Sequence, residues 1–289
     1  MFGSFVSRIR NAMKIAEAGP VRRIDHIMIH SSDPENLFKF FTDTLQLPMN
    51  WPFQEYGGYV CGGVFVGNTV LEIIKWVNLP YDGPAYPQGL ALEPWELVAS
   101  HATTKKRSIP MKDPFVRQGE LSNGKTGRLY TNVVIPSLMD EGDCTFFCDF
   151  SPPVKERKRL RVDEQGPSSA KPLGVVRAGE VVFVQKDVEK VIAVWEKFMA
   201  PLRPLDRGLW EIDGTQVRFL PANGGGSRSL TLNVGSIPQA ADSLDKMGVQ
   251  SEKTSPIEIK LLGSALQGLN LFLKEDPSFK ESNPYAPRS

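Results

Sequence analysis

From Ile24 to His30 apolar and polar residues alternate as a strand requires, with Ile24, His26, Met28 and His30 on one face and Asp25, Ile27 and Ile29 on the other. A helix start follows in Ser32 or Asp33, Pro34 and Glu35, and Leu37, Phe38, Phe40, Phe41 and Leu45 then recur at helical spacing. Three shorter alternating runs come next: around Trp51 to Phe53, YVCGGVFVG, and TVLEIIKW, with Gly67 and Asn68 at the last hairpin turn. The predicted order is strand, helix, strand, strand, strand.

That order repeats. GLALEP reads as a strand, WELVASHATTKKRS as a helix, and FVRQGELS, GRLYTNVVI and CTFFCDF as strands. Beyond Val175, GEVVFVQ, the helix DVEKVIAVWEKFMAPL and a hairpin turning at Asp213 and Gly214 give a third copy. SLTLNVG, the helix PQAADSLDKMG, IEIKLLG and LNLFLKE give a fourth. The fold class predicted is α+β, with four βαβββ modules forming two paired, cupped mixed sheets and helices outside. The expected domains are 21–153 and 173–276, the second a degenerate copy of the first. The segment 154–172 between them, rich in charge, Pro and Ser, reads as an exposed linker, and 277–289 as a loose tail. Residues 1–20 form an amphipathic segment, Phe2, Phe5, Ile9 and Met13 at helical spacing with Arg8, Arg10 and Lys14, and this fits either a docked helix or a mitochondrial transit peptide.

A chain of 289 residues with 41% hydrophobic and 23% charged positions has enough apolar content for two cores. Its formal net charge of +1 lacks the basic footprint of a nucleic-acid binder, and the KERKRLR run reads as a solvated stretch. No run approaches the ~18 apolar residues of a membrane span, so neither nucleic acid nor membrane is an expected partner. Cys61, Cys144 and Cys148 are an odd count without zinc-type spacing, which predicts reduced thiols and a cytoplasmic setting. In CTFFC, alternation places both sulfurs beside Phe146 and Phe150 as core residues.

A repeated module opening on DHIMIHSSDPENLFKFFTDTLQLP and closing on GNTVLEIIKW resembles the glyoxalase-like, or vicinal oxygen chelate, superfamily. The second module, ending FFCDFSP, resembles its glyoxalase-like subgroup. The resemblance covers Arg22 to Pro153 in residues and Val175 to Glu275 in layout. It implies a divalent metal in the cup, with ligands from the first and last strand of each module. On this sequence those positions are His26 and Glu72 in module one and Gly89 and Asp149 in module two. The implied set is therefore His26, Glu72 and Asp149, suited to Mn, Mg, Fe or Zn. Glycine at 89 removes the second histidine on which the family's dioxygenase and glyoxalase ligand sets depend.

His30 lies four residues from His26, about 13 Å along a strand, too far to share a metal. It is the candidate acid–base group at the rim. Trp51, Trp76, Tyr130, Asn132 and Phe147 are candidate substrate-contacting walls. Two functional readings stand open. One is a metal-dependent isomerase, epimerase or lyase working through an enolate-type oxyanion; the other is a small-molecule binding or sequestration protein without turnover. Four modules in one chain can satisfy their pairing internally, so a monomer or weak dimer is expected.

Overall fold

The computed structural model describes residues 17–121 and 124–282. The amphipathic segment predicted before Glu17, the tip of the turn after Leu121 and most of the tail lie outside the described residues. Among the described residues, no helix is long and apolar enough to cross a membrane.

The first sheet takes its strands from two modules. One supplies β1 (Val21–His30), α1 (Pro34–Lys39, continuing as a widened turn over Phe40–Thr44), β2 (Met49–Glu55), β3 (Tyr59–Phe65) and β4 (Val70–Trp76). The other supplies β5 (Tyr86–Pro94), α2 (Leu97–Lys106), β6 (Phe115–Glu120), β7 (Thr126–Val134) and β8 (Cys144–Phe150). The strand order β2-β3-β4-β1-β5-β8-β7-β6 sets each module's last strand beside its first. The β5–β8 pair is parallel, with Gly89 opposite Cys144 and Leu92 opposite Phe147. The helix start anticipated at Ser32 or Asp33 is built, Asp33 capping α1 through the Asn36 amide; the second helix begins two residues later than its expected start at Trp95, with Glu96 capping α2 through the Val98 and Ala99 amides.

After α3 (Pro152–Gln165), the second sheet is formed by β9 (Val175–Gln185), α4 (Val188–Met199), β10 (Leu209–Ile212) and β11 (Thr215–Pro221), followed by β12 (Ser229–Val234), α5 (Ile237–Lys246), β13 (Ser251–Ser255), β14 (Glu258–Leu261) and β15 (Leu271–Glu275), with α6 (Pro277–Ser282) at the end. Its order is β10-β11-β9-β12-β15-β14-β13. The sheet therefore has seven strands, because two strands rather than three follow α4. The Asp213–Gly214 turn has both residues at positive φ, as a two-residue hairpin with right-handed twist demands.

The segment expected to be a linker is largely helical. α3 buries no residue, in keeping with its composition; an Arg159–Asp163 pair at helical spacing supports it internally, and Lys155 and Lys158 tie it down by reaching strand carboxylates.

The chain packs as two compact units. One comprises residues up to Ile27, Gln88–Lys158 and Phe183–Gly226, which is the second module with most of the third. Its core centres on Trp195 of α4, whose ring lies 5.0 Å from Phe219 and 5.5 Å from Trp210, and whose indole N–H donates to the Leu138 carbonyl at 2.6 Å. The other comprises Met28–Pro87, Arg159–Val182 and residues from Ser227 on. Here Leu37, Phe38 and Phe41 of α1 are buried, and a Cβ on Gly62 would lie 2.6 Å from the Phe38 ring, so glycine lets the helix approach β3.

Candidate functional site

Three buried donors converge in the first unit. Asp25 and His26 of β1 and Cys148 of β8 each place a ligand atom within 4.8 Å of the others, so the described residues include a group able to hold a metal. The Asp25 carboxylate is 2.8 Å from His26 Nδ1, which fixes the imidazole's orientation. It also accepts from Lys158 Nζ of α3, 3.0 and 3.3 Å from its two oxygens. Burial works to raise the Asp25 pKa, but Lys158 and His26 outweigh it and hold the carboxyl well below its ordinary range.

The faces of β8 fix which side chains surround this group. Phe147 packs against Phe198 of α4 at 5.8 Å, so its face is the helix side. Phe150 is covered by the Lys158 ammonium at 4.1 Å and meets Tyr130 edge-on at 5.5 Å; Phe146 lies 5.7 Å from the His26 ring. Across the β7–β8 ladder Asn132 stands opposite Cys148 and Tyr130 opposite Phe150, so both belong to the same face as the donors. The Asn132 Oδ1 is buried and has no hydrogen-bond donor among the described residues.

Of the expected metal set, His26 joins the converging group, whereas Glu72 and Asp149 are not members of it. Glu72 is buried on β4 and accepts the Cys61 thiol at 3.1 Å; burial, with the carboxylate next to it, pushes that thiol's pKa up. The Asp149 carboxylate is drawn to Arg128 at 2.9 Å and Lys155 at 3.4 Å, on the face that Phe147 shares with α4. Lys155 also binds Glu93, which Arg23 contacts at 2.5 Å; burial raises the Glu93 pKa, but these cations reverse the shift and lower it. The second-histidine position is closed sterically, since a Cβ on Gly89 would lie 1.9 Å from the Cys144 carbonyl oxygen. The residues present thus do not fit a two-histidine, one-carboxylate metal. They do offer one nitrogen, one oxygen and one sulfur.

Among the wall candidates, Tyr130 and Asn132 border the donors, while Phe147 is fully buried against α4, the reverse of the face expected for it. Trp51 packs over Gly63, where a Cβ would lie 2.4 Å from its ring, and Trp76 meets Tyr59 at 5.4 Å; both belong to the second unit. His30 is also there, buried between Tyr81 at 4.6 Å and Tyr86 at 5.6 Å, with neither ring nitrogen hydrogen-bonded among the described residues. Burial lowers its pKa to about 4, with Lys75 adding to the effect.

Asp25 and Cys148 were not expected as ligands. Alternation sends Asp25 away from His26, and a cysteine between phenylalanines reads as core. The available signals were the adjacent Asp–His pair and the odd thiol of CTFFC.

No family model matches the sequence, and no curated protein matches it. Solved structures do. A hypothetical protein from Staphylococcus aureus superposes with a TM-score of 0.58 at 11% identity, covering 88% of this chain and 98% of that one. The 2,3-dioxygenase LapB from Pseudomonas sp. KL28 gives 0.54 at 11% identity over 89% and 93%. Homoprotocatechuate 2,3-dioxygenase from Brevibacterium fuscum, in an anaerobic complex with 3,4-dihydroxyphenylacetate, gives 0.54 at 14% identity over 94% and 86%. At these identities what is shared is the fold, which is that of the vicinal oxygen chelate proteins.

Proposed function

We propose that this chain is a vicinal oxygen chelate protein that binds a small oxygen-bearing molecule on the Phe150 face of its first sheet, beside a divalent metal held by Asp25, His26 and Cys148. The convergence of those three buried donors within 4.8 Å is the observation that carries the reading. A thiolate in the set favours Zn or Fe(II) over the harder Mn and Mg. Such an ion, when bound, would supply Lewis-acid stabilisation of an oxyanion on the substrate, the chemistry that the isomerase, epimerase or lyase reading calls for. The closed second-histidine position argues against the dioxygenase ligand set.

The chain's own residues supply the rest. Asp25 orients the His26 ring through Nδ1, Tyr130 and Phe150 form an aromatic wall, and the Asn132 amide oxygen accepts a donor from the ligand. The pairing of Asp25 with Lys158 favours the second reading, sequestration without turnover, because it gives the site carboxylate a counter-charge from the protein itself.

Metal analysis of protein purified without chelators tests the assignment. Zinc or iron should be retained by Glu72→Gln and Asp149→Asn, and lost from His26→Ala and Cys148→Ser. Metal content that instead follows Glu72 and Asp149 would return the site to the original trio. Full binding of the small molecule by metal-free protein would select sequestration.

A further inference from the structure

We propose that Lys158 is the resident cation of the Asp25–His26–Cys148 site, so that loading a divalent ion and docking the first half of α3 are mutually exclusive. This rests on the metal reading above and adds its regulation. Lys158 Nζ takes both oxygens of Asp25, at 3.0 and 3.3 Å, and lies 4.1 Å above the Phe150 ring, with only 16% of its side chain exposed. It therefore shares the Asp25 Oδ2 oxygen with His26 Nδ1, and carries there the charge that a metal would bring. A carboxylate gripped on both oxygens by an ammonium cannot complete a metal's coordination until that ammonium leaves.

The helix that carries Lys158 is built to let go. α3 buries no residue, and in the first unit it is held by Lys158 on Asp25 and by Lys155 on Glu93 and Asp149. α3 has no buried apolar residue to resist its release, and its Lys155 end is part-exposed, although the Glu93 it binds is buried. Releasing Lys158 also uncovers Phe150, and with it the aromatic wall beside Asn132. The cation that frees the site would thus open the ligand face at the same step.

Cobalt(II) is the probe, since thiolate ligation by Cys148 gives it an absorption signature. Titrating the full chain, we expect Lys158→Met to bind Co(II) about tenfold or more tightly than the parent, the scale on which a neighbouring charge biases a carboxylate. Lys158→Arg, which keeps the charge and guards against misfolding of the Met variant, should bind as weakly as the parent or more weakly. In the unmodified protein, saturating Co(II) should raise deuterium exchange of amides in 152–158 and leave those of α4 unchanged. Equal affinity in the parent and Lys158→Met, or unchanged exchange in 152–158 at saturation, overturns the competition while leaving the metal site standing. Absence of Co(II) binding from the parent and from Lys158→Met overturns both.

Discussion

At position 89 the backbone leaves no room for a side chain, because the Cys144 carbonyl lies where a Cβ would be. A histidine placed there to restore a second ligand must push β5 and β8 apart. Gly89→His is expected to lose ~1–3 kcal/mol or more of stability, the usual cost of overpacking a tight site. It should gain no metal affinity; urea unfolding and metal titration check the two halves. His30 offers a second test at this scale. Its folded pKa of about 4 lies below the ordinary 6.5, so between those values the unfolded chain binds a proton that the native state does not. The sign follows: this group's contribution is most favourable above pH 6.5 and is lost as pH falls to about 4. An NMR titration of the imidazole should show a midpoint near that lower value, and His30→Phe should flatten the stability profile in this window. His26 was singled out by the resemblance, which implies a ligand at that position of the module's first strand, and it is a member of the converging group. Asp25 was not, since strand alternation says nothing about a short carboxylate curling back to its neighbour's Nδ1 and meeting a lysine from a later helix.

Elements were legible where one face is apolar. α4 carries Val191, Ile192, Trp195 and Phe198 on its buried stripe, and the periodicity locates it. α3 has no such stripe, so its helix is invisible to that rule and depends on polar links that only the folded chain brings together. β13, SEKTS, was missed for a similar reason: it is a polar edge strand defined by pairing with β14. The face of Phe147 was misjudged because alternation gives two faces of β8 without saying which one meets a helix. The contrast between the two helices makes a prediction. Trp195→Ala removes a fully buried ring and strands the Leu138 carbonyl, and should cost ~3–5 kcal/mol. Leu160→Ala on α3, at 45% exposure, should stay within ~0.5 kcal/mol. Chemical denaturation of the two variants, compared at equal denaturant slope, reads the difference.

For the whole molecule, the buried carboxylates set the acid limit. Asp25, Glu93 and Asp276 are each opposed by burial, yet each is held below its ordinary pKa, by Lys158 and His26, by Lys155 and Arg23, and by Ser278 and Arg177 respectively. A carboxyl depressed in the folded state contributes stability that is present above its unfolded pKa and is lost as pH falls through the folded one. The first unit holds Asp25 and Glu93, and the second holds His30 and Asp276. Acidification should therefore act in two stages. Between pH 6.5 and about 4 stability declines through His30, and below the ordinary carboxylate range it declines further as the three acids are forced to protonate. Glu93→Gln should remove part of the second stage and none of the first, at the expense of lower stability at neutral pH, because Arg23 and Lys155 lose their counter-charge. Thermal unfolding followed from pH 8 to pH 2 in the parent, His30→Phe and Glu93→Gln separates the stages. A Glu93→Gln profile that parallels the parent throughout would mean that the network of Arg23, Lys155 and Glu93 leaves the carboxyl's pKa the same folded and unfolded.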